Sequence, residues 1–217
     1  MIWIVYFLNL AISTLNAWSC GRSWAETKRM GGIAHFMNWC GAIMSASGFT
    51  WCLLVLSSKL ITMIPKYGLP AHYANAIMAL GYLIIIGPVI GTGIAITIQS
   101  WAYFWKERSF TNGAVAGWNT FADIYNIYEA ARGIPEAFKI VGTLFNPDTL
   151  AEEDGIKVYA VKVVIGLVVV SVVGGILTTT WIIRATARGV ANEEMDRARE
   201  AAGKDFNKNP WGNRRWA

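Results

Sequence analysis

Apolar residues run along this chain in long uncharged windows, and the charges collect in the stretches between them. The strongest window is Val163 to Ile183, VVIGLVVVSVVGGILTTTWII. It holds about twenty-one residues without a charge. At about 1.5 Å of rise per residue that is a helix of roughly 30 Å, the thickness of a bilayer's hydrocarbon core. Lys162 precedes it and Arg184 follows it, where long basic side chains reach the headgroups. Trp181 stands near its end, where an amphipathic ring prefers the interface. The pattern predicts a spanning helix within residues 156–184, the last of four.

The first window, 2–18, is a minimal span with Trp3 and Trp18 at its ends as interface anchors. No basic n-region precedes it, so it is expected to be a retained structural segment, not a cleaved leader. Asn9, Ser13 and Asn16 share one helical face, which is expected to pack on protein because a polar stripe in lipid is costly. Ser23 with Glu26 fits a capping box and predicts a short separate helix that Gly31-Gly32 breaks. The second window, 33–56, is rich in small residues. Gly41, Ser45 and Gly48 are expected to let a neighbouring helix approach closely. Met30, Met37 and Met44 repeat at heptad spacing and predict a packed seam.

The third window, 78–105, belongs to a longer uncharged run from Tyr67 to Trp105. Pro88 lies mid-run and is expected to act as a hinge. Gly87 and Gly91 make a GxxxG face, matched on the fourth span by the small pair Ser171 and Gly175. One long kinked helix ending in Trp101, Tyr103, Phe104 and Trp105 is preferred to two short arms. Two arms would leave unpaired backbone in lipid, and IIIGPVIGTGI offers few polar turn residues.

Residues 106–155 are too charged to span. Trp118, Phe121, Tyr125 and Tyr128 recur at three and four residues, opposite Asn119, Asp123, Asn126 and Glu129, and predict an amphipathic helix. Arg132-Gly133 is expected to end it. Pro135 is expected to open another, with Phe138, Val141 and Phe145 on its buried side. These helices are expected to cover the end of the bundle or lie on the membrane. Asn146-Pro147-Asp148 predicts a turn, and Thr149 with Glu152 a second capping box. After Arg184 the pattern stays helix-friendly to Ala202, so one helix could run from about Ile156 to Ala202 and project beyond the bilayer. The basic tail, 185–217, ends in Trp211, Arg214, Arg215 and Trp216, a candidate docking element for a neighbour or a soluble partner.

Composition narrows the function. Mean hydropathy is +0.38, and only 15% of the 217 residues are charged, against about 25% in soluble domains. The net charge is +5, but Lys and Arg flank apolar windows instead of forming one dense run, which argues against nucleic acid. With four spans the Lys/Arg tally is about nine on one side against about ten on the other, so the positive-inside rule chooses poorly; the more basic tail points the C-terminus to the cytoplasm. Cys20, Cys40 and Cys52 form no CxxC and are expected to be small buried hydrophobes. His35 and His72 fall at opposite faces of a four-span bundle, too far apart for one haem iron.

No nucleophile elbow, zincin motif, Walker loop or dinucleotide fingerprint occurs. The spans hold no carboxylate or basic group away from their edges, which counts against an ion-coupled transporter. Glu152, Glu153 and Asp154 suit a helix N-terminus; an ion-attracting vestibule is the functional alternative. The expectation is an all-α multi-pass protein of a plasma or inner membrane. It is a non-enzymatic subunit without cofactor or metal that self-associates as a homo-oligomer or scaffold. A passive channel or pore made by the same oligomer is the alternative, and a membrane enzyme or electron carrier the third.

Overall fold

A computed structural model of the chain describes residues 2–63, 71–144 and 156–208. Five helices follow one another among them: α1 (Ile2–Met30), α2 (Gly32–Met63), α3 (Ala71–Lys106), α4 (Phe110–Leu144) and α5 (Ile156–Lys208). No strand occurs among the described residues. Helices α1, α2, α3 and α5 are long and apolar enough to cross a membrane.

Two tight connections fold the chain back on itself. Gly31 and Gly32 adopt φ of 63° and 62°, left-handed values that glycine reaches without a steric penalty. The Gly31 amide donates to the Thr27 carbonyl at 2.9 Å, closing α1. Between α3 and α4, Ser109 acts as an N-cap: its hydroxyl accepts the Asn112 amide at 3.1 Å. Asn112 Nδ2 also donates to the Glu107 carbonyl at 2.9 Å, fixing the corner.

Helix α2 is the hub. It packs against α1, α3 and α5, while α4 lies along α3. Leu54, Ile77, Val164 and Val168 are almost wholly buried where α2, α3 and α5 meet. That burial matters for α5, whose Val and Thr content lowers its intrinsic helix propensity.

Several local expectations are corrected. Ser23 starts no separate helix; α1 is continuous, and the Ser23 hydroxyl donates to the Asn38 side chain at 3.0 Å. Arg132-Gly133 and Pro135 do not divide α4, which runs unbroken over 35 residues. Pro135 lacks only its own N–H there, and its ring points outward. Met30 is exposed, so the methionine seam fails at its first member. Helix α3, by contrast, is the one continuous helix through Pro88 that was expected, with the Thr92 hydroxyl donating to the Pro88 carbonyl at 2.6 Å. Helix α5 is continuous through Gly189.

The largest departure concerns α4. It neither covers the end of the bundle nor stands off it: it runs antiparallel to α3. Trp101 Nε1 donates to the Thr120 hydroxyl at 2.9 Å, Tyr82 OH to the Glu129 carbonyl at 3.2 Å, and Leu144 shares a cluster with Tyr73. Its orientation is also the reverse of the expected one. Ala116, Asp123, Ala130, Ala137 and Leu144, seven residues apart, form the buried seam. Trp118, Phe121, Tyr125, Tyr128 and Phe138 all point outward. Small residues let α3 and α4 approach closely, and the large rings do not fit that seam.

Candidate functional site

The same polar-in, apolar-out arrangement holds around the bundle. On α1, Ser13 is buried while Ile4, Phe7, Leu8 and Leu15 are exposed. On α5, Ser171 and Thr179 are buried while Val170, Val173, Leu177 and Trp181 are exposed. Asn9 Nδ2 donates to the Gly48 carbonyl at 3.0 Å, and the Ser45 hydroxyl donates to the Ser13 carbonyl at 3.0 Å. Ser57 and Ser171 hydroxyls meet at 3.3 Å across α2 and α5. Buried polar groups are costly unless paired, and at Asn9, Ser45 and Ser171 a neighbouring helix supplies the partner, whereas the Thr179 hydroxyl has none among the described residues.

At one end of this polar interior lies a denser network. Asn38 Nδ2 donates to the Cys20 carbonyl at 3.2 Å and to the Thr27 hydroxyl at 3.1 Å. A cavity of about 320 Å³ opens beside it, lined among others by Asn16, Asn38, Gln99 and Tyr103. Gln99 Oε1 is buried without a hydrogen-bond partner. The three cysteines are free and buried. His35 Nε2 accepts from Trp39 Nε1 at 3.2 Å. No group of three or more His, Cys, Asp or Glu able to hold a metal occurs among the described residues.

The packing residues divide into two sets. A Cβ placed on Gly175 would lie 2.7 Å from the Ala46 carbonyl oxygen and 2.8 Å from the Thr50 amide, so α2 and α5 touch there through backbone. Gly48 faces Ser13, Gly41 faces the Cys20 sulfur, and Ser45 and Ser171 are buried. Gly87 and Gly91 instead face open space, and nothing among the described residues packs on them. Helix α1 also comes close to α5 at Gly21, against Ile183 and Thr186. The aromatic and basic flanks Trp3, Trp18, Trp101, Trp105, Trp181, Lys162 and Arg184 are all exposed, with the Arg22 guanidinium 5.0 Å from the Trp18 ring. The tail candidates Trp211, Arg214, Arg215 and Trp216, the turn at 146–148 and the acids at 152–154 lie outside the described residues.

A line of contacts crosses the bundle at one level and fixes what stands there. Gly174, midway between Lys162 and Arg184 on α5, faces Leu53 of α2; the adjacent Leu54 packs on Gly81 of α3. Tyr82, next along α3, lies on Gly133 and donates to the Glu129 carbonyl of α4. Arg132 therefore sits level with the middle of the longest apolar window of the chain. It is exposed, as are Glu136 and Lys139 one and two turns on. The sequence hid this because α4 is too polar to register as a span. Its partner α3 brings it to the apolar level. Farther along the same seam Asp123 is 8% exposed against Gly93, and its Oδ2 has no hydrogen-bond partner among the described residues.

No protein-family model, curated protein or solved structure matches this chain.

Proposed function

We propose that the chain is a non-enzymatic, multi-pass membrane subunit that self-associates through contacts between copies of itself. The observation that carries this reading is the exposed surface between the levels of Lys162 and Arg184. On α1 and α5 it is apolar apart from Thr14, whose hydroxyl donates to the Leu10 carbonyl of its own helix, while the polar faces turn inward, the arrangement expected where hydrocarbon is the solvent. On α4, at the same level, it presents Arg132 and Glu136. A charge at the bilayer centre costs about 2.5–3.5 kcal/mol on insertion scales. That side of the chain therefore calls for a covering other than lipid, and a neighbouring subunit supplies one.

A second reading is favoured by the same charges: copies arranged with α4 inward would enclose a polar, water-filled passage, making the assembly a passive pore. Two measurements separate the outcomes. The mass of the detergent-solubilised protein, corrected for bound detergent, is expected to exceed one chain; a strict monomer contradicts self-association. Ion or dye flux through reconstituted vesicles is expected for the pore, and tight vesicles remove it.

A further inference from the structure

We infer that the outward face of α4 is the surface on which two copies of this chain meet, with Arg132 of one copy paired to Glu136 of the other. The inference rests on the self-association proposed above and names its contact.

Four charged residues follow on α4 with alternating sign: Glu129, Arg132, Glu136 and Lys139. Steps of three and four keep them on one stripe of the helix. None of them is in an ion pair with a described residue. Among the described residues Arg132 reaches only Tyr128, its guanidinium donating to the ring hydroxyl at 3.2 Å and lying 5.5 Å from the ring centroid. Their level against Tyr82 places them where the rest of the bundle turns Val, Ile and Leu outward.

The stripe is complementary to itself. When a second α4 is laid beside it in the opposite sense, the register that sets Arg132 against Glu136 also sets Glu129 against Lys139, and both pairs occur twice. In the same sense, an offset of one turn again joins Arg132 to Glu136. In the opposite sense all four charges, unpaired among the described residues, find partners in the next chain; in the same sense Arg132 of one copy and Glu136 of the other do, and desolvated pairs of this kind set register and partner choice. Of the exposed residues between the charges, Phe138 is large, but Ala131 and Pro135, on either side of Arg132, are short enough to let a second helix come close there. Hydrocarbon offers no such compensation.

The test uses the full chain in detergent, with assembly measured by light scattering over a dilution series. Arg132→Glu and Glu136→Arg each place like charges opposite one another, and each is expected to weaken association at least about thirtyfold. Expressed together under different tags, the two variants are expected to co-purify as a mixed assembly, and the double variant R132E/E136R to recover the native mass. Recombination also shows that each single variant folds. Retention of the native mass by Arg132→Glu overturns the contact while self-association stands; so does failure of the two variants to recombine. Altered ion selectivity at unchanged mass likewise overturns it and assigns these charges to a passage. A native chain that is itself monomeric overturns both this contact and the reading it rests on.

Discussion

Helices α5 and α4 flank the bundle at the same level, yet they show the surroundings opposite surfaces. From Val163 to Ile183, α5 turns only apolar side chains and Trp181 outward and buries Ser171 and Thr179. Helix α4 buries a seam of small residues with Asp123 in it, exposes aromatic rings over its first half, and then exposes Arg132, Glu136 and Lys139. Hydrocarbon satisfies the first surface and cannot satisfy the second. A single solvent on all sides is therefore a poor match for this molecule. On the proposed reading one flank meets lipid and the other a neighbour.

The largest expected effect lies on the α5 side. Gly175→Leu forces side-chain atoms into the backbone of α2 at Ala46 and Thr50. We expect a loss of about 3 kcal/mol or more, measured by unfolding in mixed micelles. A neutral result would show that α2 and α5 do not touch there.

Next come two substitutions that probe the flanks against each other. Val173→Lys puts a charge on the outward, apolar side of α5 and is expected to cost about 3 kcal/mol of insertion, read from the inserted fraction in a microsomal assay. Arg132→Leu removes a charge at nearly the same level on α4. If that surface met lipid, insertion would improve by a similar amount; we expect no such gain, together with weakened association in detergent. Equal and opposite responses of the two variants would erase the distinction between the flanks.

Smaller effects test the interior. Asp123 carries an unpartnered Oδ2 in a seam it shares with Gly93. Asp123→Asn keeps its shape and removes the charge, and is expected to stabilise the fold by about 1 kcal/mol. Destabilisation would assign the carboxylate a partner that binds it. Gly87→Ala, facing open space, is expected to stabilise α3 by about 0.5–1 kcal/mol through helix propensity alone. A clear loss in the assembled protein would mean that a second chain packs on that face.

The four apolar helices were legible because their signal is local: uncharged windows of spanning length with tryptophan and basic ends. The Gly31-Gly32 break and the inward polar face of α1 at Asn9 and Ser13 were legible for the same reason. What escaped depends on a partner helix. Trp118, Phe121, Tyr125 and Tyr128 define an apolar stripe, and in water such a stripe is buried; periodicity gives the stripe but not the solvent it meets. The unbroken course of α4 through Gly133 and Pro135 depends on its packing against Tyr82 and the rest of α3. The level of Arg132 follows only once Gly174, Leu53, Leu54, Gly81 and Tyr82 are seen in line. Gly87 and Gly91 match a helix-packing motif in sequence, but a motif does not say whether the neighbour belongs to the same chain.

The most direct test of the account is the solvent at residue 173. A nitroxide attached at Val173→Cys, in a chain whose three native cysteines are replaced by alanine, is reconstituted into vesicles. Its collisions with oxygen and with a water-soluble nickel chelate are then compared by electron paramagnetic resonance. Exposure on α5 between Lys162 and Arg184 predicts frequent collision with oxygen and almost none with the chelate. Ready collision with the nickel chelate would place this face in water and contradict the account.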